Sequence, residues 1–254
     1  MIDLHSHILP GLDDGARDLD DALGIARAAL ADGTRVIAAT PHVRDDYPTT
    51  ADAMESAVED LRRSLRREQI DLQLLPGGEV ALDDLARRAP DELRRFGLGG
   101  NPAYLLLETP YFDWPVTFAD IVFRLVAAGT TPVIAHPERN PVVQADPERI
   151  SGVVRAGALV QLTAASLEGR LGARTQSCAT RLLDAELAHF VGSDAHGPDV
   201  RAVGLSGAYA AVRDEALARW LTSAVPAAIV AGEPLPPRPP RTRRGGVLAR
   251  LRGR

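Results

Sequence analysis

Met1-Ile2-Asp3-Leu4-His5-Ser6-His7 opens the chain, and its reading decides the fold. A short apolar run ending in His-x-His reads as a strand. Alternate side chains of a strand share a face, so His5 and His7 point the same way. Two imidazoles on one face at a strand end can grip one metal ion. A chance His-x-His on a solvated loop is the bland alternative, and the placement of the other histidines decides between the two.

Working outward, short β-like runs alternate with longer helical patterns, as in a parallel α/β fold. Seven strands are predicted, at residues 2–5, 35–40, 72–75, 104–108, 132–136, 159–163 and 189–192. Asp18 caps the first helical pattern, and Gly33 stands just past its end. Further helices are predicted over 51–69, 82–96, 117–128, 147–156, 173–188 and 206–224. At 254 residues the chain suits one α/β barrel or two smaller domains. It is 45% hydrophobic and 25% charged, ordinary for a globular protein, and no apolar run approaches a membrane span. No basic region followed by an apolar stretch precedes the first strand, so a cytoplasmic location is expected. The one cysteine, Cys178, excludes an internal disulfide and reads as a buried apolar side chain.

Charge is unevenly spread. All 29 basic residues are arginine, and seven of them lie in residues 234–254, which hold no acid. The remainder carries 22 bases against 34 acids. An acidic body is a poor nucleic-acid binder, because duplex affinity rests on neutralising phosphates. The Pro/Arg-rich segment 234–254 has too few apolar groups to offset its ordering entropy and is expected to be a disordered tail beyond a domain of residues 1–233. Its arginines, with Val247, Leu248 and Leu251, could make weak contact with an anionic membrane surface. Self-association is compatible with the sequence.

Ligand-type residues gather at the expected strand ends. His5 and His7 end the first strand, with Asp13 and Asp14 in its loop; Thr40-Pro41-His42 follows the second and Gly77-Gly78-Glu79 the third. Glu108 ends the fourth, His136-Pro137-Glu138-Arg139 the fifth, and Ser193-Asp194-Ala195-His196 follows the seventh. Five of six histidines thus lie at the C-terminal ends of predicted parallel strands, where barrel enzymes assemble their sites. The sixth, His189, begins a strand and reads as structural. Asp13 and Asp14 also suit a turn, and Glu138 a helix cap or a solvated acid. His5, His7, His42, His136, His196, Asp14, Glu79, Glu108 and Asp194 are too many ligands for one ion and suit two or three. With no thiolate among them, manganese, iron or zinc fits. Such a site would be electropositive and would favour a phosphate dianion, for which Arg139 offers a bidentate fork or, alternatively, an ordinary salt bridge. Tyr111, Phe112 and Trp114 follow Glu108, where they could wall a pocket for an aromatic ring or pack the loop onto the next helix.

Together, His-Ser-His, Thr-Pro-His, Gly-Gly-Glu, Glu108, His-Pro-Glu-Arg and Ser-Asp-Ala-His resemble the polymerase-and-histidinol-phosphatase (PHP) superfamily. The run from Asp3 to Gly15 (DLHSHILPGLDDG) and that from Gln161 to Arg170 (QLTAASLEGR) are similar to the bacterial manganese-dependent protein-tyrosine phosphatases of capsule and exopolysaccharide loci. The resemblance spans residues 1 to about 225. It implies a distorted seven-stranded β/α barrel of the TIM-like type carrying three divalent metal ions. His5, His7, Glu79 and Asp194 would hold the first, Glu79, Glu108 and His136 the second, and Asp14, His42 and His196 the third. Arg139 and Arg201 would grip the phosphate. Gly197 and Ala81 depart from the family pattern at the substrate rim, where asparagine and an aromatic residue are usual.

The expected activity is metal-dependent hydrolysis of phosphotyrosine on a tyrosine autokinase of polysaccharide synthesis or export. A phenolate leaving group needs little help from a general acid, a role His42 could fill. Cys178 has Asp184 rather than arginine six positions on, which excludes the thiol-phosphatase route. Histidinol phosphate or another small phosphomonoester is the alternative substrate. A non-catalytic metal-bound regulatory module is disfavoured by the complete ligand set, and a nuclease by the acidic body.

Overall fold

Two of the seven expected strands are each followed, after a proline-bearing turn, by a further short strand that pairs in the other sheet, and that change of sheet shapes the molecule. The computed structural model describes residues 1–197 and 203–240. Among these, ten strands form: β1 (Ile2–Ser6), β2 (Val36–Ala39), β3 (His42–Arg44), β4 (Tyr47–Pro48), β5 (Gln73–Leu75), β6 (Glu79–Ala81), β7 (Tyr104–Glu108), β8 (Thr131–Ile134), β9 (Leu159–Thr163) and β10 (Phe190–Gly192). The run expected at 35–40 continues as β2 and β3 on either side of Thr40-Pro41. The run at 72–75 is followed by β6 after Pro76-Gly77-Gly78. Proline cannot donate to a ladder, so each break falls where pairing changes sheets.

The strands form two sheets, β1-β2-β5 and β10-β9-β8-β7-β6-β3-β4, parallel throughout except for the β3–β4 pair. Of the expected distorted seven-stranded β/α barrel, the α/β fold with mostly parallel strands is present, but among the described residues the strands form two sheets and no closed ring. The sheets meet at the end of β1. The Asp194 and His7 amides donate to the carbonyls of His5 and Ala195, at 2.8 and 2.9 Å, and the Thr40 amide donates to Ser6 O at 2.8 Å. Leu4, Ile37, Val80, Leu106, Val133, Val160 and Val191 are fully buried, as expected for parallel strands covered on both faces.

Helices follow local chemistry. Asp18 caps Leu19–Ala31 by accepting from the Asp21 amide at 2.9 Å. The helix expected over 82–96 is instead a 3₁₀ turn, Leu82–Arg87, and a short helix, Pro90–Arg95, because Pro90 cannot continue a helix from before it. The helix expected over 206–224 breaks at Arg213, whose φ is 55°. No helix among the described residues is long and apolar enough to cross a membrane.

The expected start of a disordered tail at residue 234 is also corrected. Trp220 Nε1 donates to Pro236 O at 2.9 Å, and Arg238 donates to Ala188 O at 2.7 Å and Leu183 O at 3.1 Å, its guanidinium 5.1 Å from the Trp220 ring. Two bonds from a cation and a π contact offset the ordering entropy that composition alone suggests would win. Residues 241–254, and the membrane contact expected of them, lie outside the described residues. The Arg238→Ala variant should melt lower by on the order of 5 °C in a thermal scan; an unchanged Tm would show that this strap adds nothing.

Candidate metal centre

Strand alternation and the sharp turns after the strands bring all nine expected ligands to one end of the sheets. His5 and His7 project from β1 on one face, their Nε2 atoms 3.3 Å apart. Glu79, the first residue of β6, reaches them from across the fold: its Oε2 lies 3.4 Å from each Nε2. Asp194 Oδ1 lies 3.5 and 3.3 Å from the same two nitrogens. A tetrahedral ion with bonds of roughly 2.1 Å sets its donor atoms about 3.4 Å apart. The five measured edges of this cage match that spacing.

Two further groups adjoin it. His42 and His196 approach Asp14 Oδ1 at 3.5 and 3.3 Å, with His7 completing the set. His42 Nδ1 also lies 3.1 Å from Glu79 Oε2 and 3.6 Å from Glu108 Oε2. His136 Nε2 meets Glu79 Oε1 at 2.8 Å. The set expected for the second ion is thus divided: His136 gathers with His5 and Glu79, and Glu108 with His42 and Glu79. Both ring nitrogens of His42 face candidate ligand carboxylates, as a ligand's would.

The donor atoms suit cations. Glu79 Oε2 and His42 Nδ1 are buried and make no hydrogen bond, and both turn toward the same interior point. Burial acts to raise the Glu79 and Asp194 carboxyls, but the surrounding imidazoles outweigh it and hold both well below the usual carboxylate range. Burial likewise acts against the His7 imidazolium, yet Asp13, Asp194 and Glu79 raise its pKa well above normal. His136 is shifted the other way, downward, by burial and by Arg139. Burial and the charge of Glu79 raise Glu108. Divalent metals fit this set, which concentrates acids and bases while excluding water.

A surrounding layer fixes the imidazoles. His5 Nδ1–H donates to Gln161 Oε1 at 3.0 Å, His7 Nδ1–H to Asp13 Oδ2 at 2.7 Å and His196 Nδ1–H to Asp194 O at 2.9 Å. Each bond selects the tautomer whose Nε2 lone pair faces the centre. Asp13, expected as turn chemistry, also accepts from the His42 amide at 2.9 Å. Asp3 accepts from the amides of His5 and Ser193 at 3.2 and 2.9 Å and so joins β1 to the Ser193–His196 turn. Gly15 packs so close that a Cβ there would sit 2.1 Å from His7 O, which keeps the Asp13-Asp14 loop over the centre. His136 and Asp194 hold φ of 30° and 53°, strain that costs on the order of 1–3 kcal/mol each and persists where surrounding structure imposes it.

Sequence reasoning missed Asp3, Gln161 and Arg44. Asp3 and Arg44 obey the same i, i+2 rule as the His-x-His pair. Arg44 shares its face with His42 and donates to Glu108 Oε2 at 3.0 Å. Gln161 comes from the one strand expected to contribute nothing. Glu138, expected at a helix cap or in solvent, is fully buried and accepts from the Thr163 amide at 2.8 Å. Arg139 lies three residues after His136, one turn of the 3₁₀ segment Pro137–Arg139, and donates to Asp194 Oδ2. Arg139 and Asp14 are the solvent-facing members, with side chains 25% and 38% exposed. Arg201 lies outside the described residues. His189 accepts from the Val160 amide at 3.0 Å, away from the centre, and burial lowers its pKa to about 4. Burial pushes the Cys178 thiol up to about 12, as for an unreactive core residue. Of the aromatic loop, Trp114 packs on Phe118, ring centres 5.0 Å apart, while Phe112 is exposed and Tyr111 meets Arg44. The Gln161→Leu variant, which frees the His5 tautomer, should lose roughly 10–100-fold in metal affinity by titration while keeping its circular dichroism spectrum. Unchanged affinity would show that Gln161 does not orient His5.

Comparison with known proteins agrees with this geometry. The model of the family described as "Capsular polysaccharide synthesis, CpsB/CapC" matches residues 1–224. The tyrosine-protein phosphatase YwqE of Bacillus subtilis is 39% identical over 207 residues, covering 79% of each chain. The tyrosine-protein phosphatase CpsB of Streptococcus agalactiae is 29% identical over 219 residues, 82% of this chain and 88% of that one. A chain from the crystal structures of YwqE from Bacillus subtilis and CpsB from Streptococcus pneumoniae, described as metal-dependent tyrosine phosphatases, superposes with a TM-score of 0.84 at 33% identity. It covers 95% of this chain and 100% of that one. A histidinol phosphate phosphatase from Lactococcus lactis shares the fold alone, at 11% identity and a TM-score of 0.54. With ligand-bearing strand ends, a cation-ready centre and a family match over most of its length, the chain belongs to the CpsB/CapC family of capsular polysaccharide synthesis proteins.

Proposed function

We propose that this chain is a metal-dependent protein-tyrosine phosphatase. The observation that carries the proposal is the cage of His5, His7, Glu79 and Asp194, with donor atoms 3.3–3.5 Å apart and Arg139 at its solvent side. Three divalent ions, manganese foremost with iron or zinc as alternatives, suit the imidazole and carboxylate donors. When bound, such ions would draw charge from phosphate oxygens and lower the pKa of water from 15.7 toward about 7, so that a nucleophile exists at neutral pH.

The chain's own residues do the rest. Asp13, Gln161 and the Asp194 carbonyl hold His7, His5 and His196 with Nε2 inward. Asp194 holds Arg139 at the mouth, and the guanidinium keeps further N–H donors for the equatorial phosphate oxygens. Arg201 is proposed as its partner. A tyrosine phenolate leaves with little acid assistance, which suits a centre whose histidines are committed to ligation. By its family's place in capsule synthesis, the substrate would be a phosphotyrosine protein, namely the tyrosine kinase of polysaccharide export.

Purified chain should hydrolyse 4-nitrophenyl phosphate and phosphotyrosine peptides in preference to histidinol phosphate, lose that activity on exhaustive chelation and regain it with manganese. Full activity after chelation contradicts the metal mechanism. In the Arg139→Ala variant, kcat/KM should fall by on the order of 10²-fold with metal content retained; a change within about twofold would remove Arg139 from transition-state stabilisation.

A further inference from the structure

Beside the metal centre lies a second feature, a cavity of about 210 Å³ between the strand end at Arg44, the segment after β6 and the loop after β7. Arg44, Glu108, Ala81, Leu82, Pro110 and Tyr111 line it, and so do four aspartates (45, 46, 83 and 84) and Arg87. Glu108 belongs to both places: one oxygen lies 3.6 Å from His42 Nδ1, and the residue also lines the cavity. A molecule seated in the cavity would therefore touch the edge of the metal centre.

Arg44 ties the walls together. Its Nη1 donates to Glu108 Oε2 and to the Tyr111 hydroxyl, both at 3.0 Å. The guanidinium carbon lies 5.2 Å from the Tyr47 ring and 5.8 Å from the Tyr111 ring, within cation–π range of both. Tyr111 is 52% exposed, a large aromatic surface open to solvent but anchored by its hydroxyl. A ring fixed in advance loses little freedom when a second ring packs on it.

Size and chemistry point to one class of ligand. An enclosed apolar cavity of about 150 Å³ holds benzene, which sets the room a ring needs; this one is open to solvent and charged at several positions, so the Tyr111 ring rather than enclosure must supply the apolar contact. A volume of 210 Å³ holds one six-membered ring and its linking atoms. We infer that this cavity is the subsite for the aryl group of the substrate, with the Tyr111 ring as its specificity-determining wall and Arg44 as the positioning residue that fixes Tyr111 and Glu108. This rests on the phosphatase reading and adds where the substrate ring goes and which side chain selects it. An alkyl phosphate reaches the metals but leaves the cavity unfilled, so selection for tyrosine over serine arises here as well as from leaving-group chemistry.

The test is direct binding by calorimetry to the metal-loaded full chain, using phenylphosphonate, methylphosphonate and inorganic phosphate. The last two probe the metal centre and the first adds the ring. Wild type should bind phenylphosphonate more tightly than methylphosphonate. Tyr111→Ala should weaken phenylphosphonate by about five- to tenfold while moving phosphate less than about twofold, and Tyr111→Phe, which keeps the ring, should recover phenylphosphonate binding. Equal loss for both ligands, no loss for either, failure of Tyr111→Phe to recover binding, or no preference for phenyl in wild type would each overturn the subsite. Turnover of 4-nitrophenyl phosphate is measured separately: a phenyl-selective chain without turnover would refute the phosphatase reading and leave the subsite standing.

Discussion

Glu79 is a fully buried carboxylate with four histidines around it, and the rest of the site depends on keeping it charged. His136, His42, His5 and His7 approach its two oxygens at 2.8, 3.1, 3.4 and 3.4 Å. An ionised carboxylate without water costs several kcal/mol unless opposite charge or donors replace the lost hydration. Only one of its oxygens has a hydrogen bond, from His136. Cations shared with the neighbouring histidines and acids are the natural compensation, and the broken strands exist to permit it. Pro76-Gly77-Gly78 turns the chain so that β6 begins with Glu79 inside, its amide bonded to Pro41 O at 3.0 Å. Thr40-Pro41 turns the adjacent chain so that β3 begins with His42 beside it.

The centre is built from strand ends, which is why so much of it is legible in sequence. A ligand at or within two residues of a strand's end needs little beyond that strand's register, and His5, His7, Glu108 and His136 are of this kind. Glu79 and Asp194 follow turns rich in glycine and serine and were readable from those turns. What escaped notice needed a partner distant in sequence. Gln161 looks like an ordinary strand residue until His5, 156 positions away, donates to it. Glu138 looks solvated until Thr163 and the segment after β9 close over it. Arg238 sits in a proline-rich stretch whose composition says disorder, and the carbonyls of Leu183 and Ala188, distant in sequence, help hold it in place. The division of the two strands was partly visible in Pro41 and Pro76, but strand propensity does not say which sheet each half will join. Arg44 was in plain view, since the alternation that places His5 with His7 places Arg44 with His42.

Strain and charge share a location. The left-handed backbone at His136 and Asp194 turns two side chains inward just after their strands, and the amides of Asp194 and His136 hold those turns by donating to His5 O and Gln161 Oε1. The same residues meet Glu79, His5, His7 and Arg139, so backbone geometry and electrostatics reinforce each other. Toward solvent, Arg139, Asp14 and the Arg44–Tyr111 pair form a polar and aromatic mouth suited to an anionic ester carrying a ring.

The most direct measurement is the number of metal ions per chain, by elemental analysis after reconstitution and removal of free metal, for the wild type and for Glu79→Gln. The account predicts close to three ions per wild-type chain and a loss of at least one in the variant, whose amide is neutral and cannot bridge ions as a carboxylate does. A wild-type chain that retains no metal, or a variant that retains as many ions as the wild type, would contradict it.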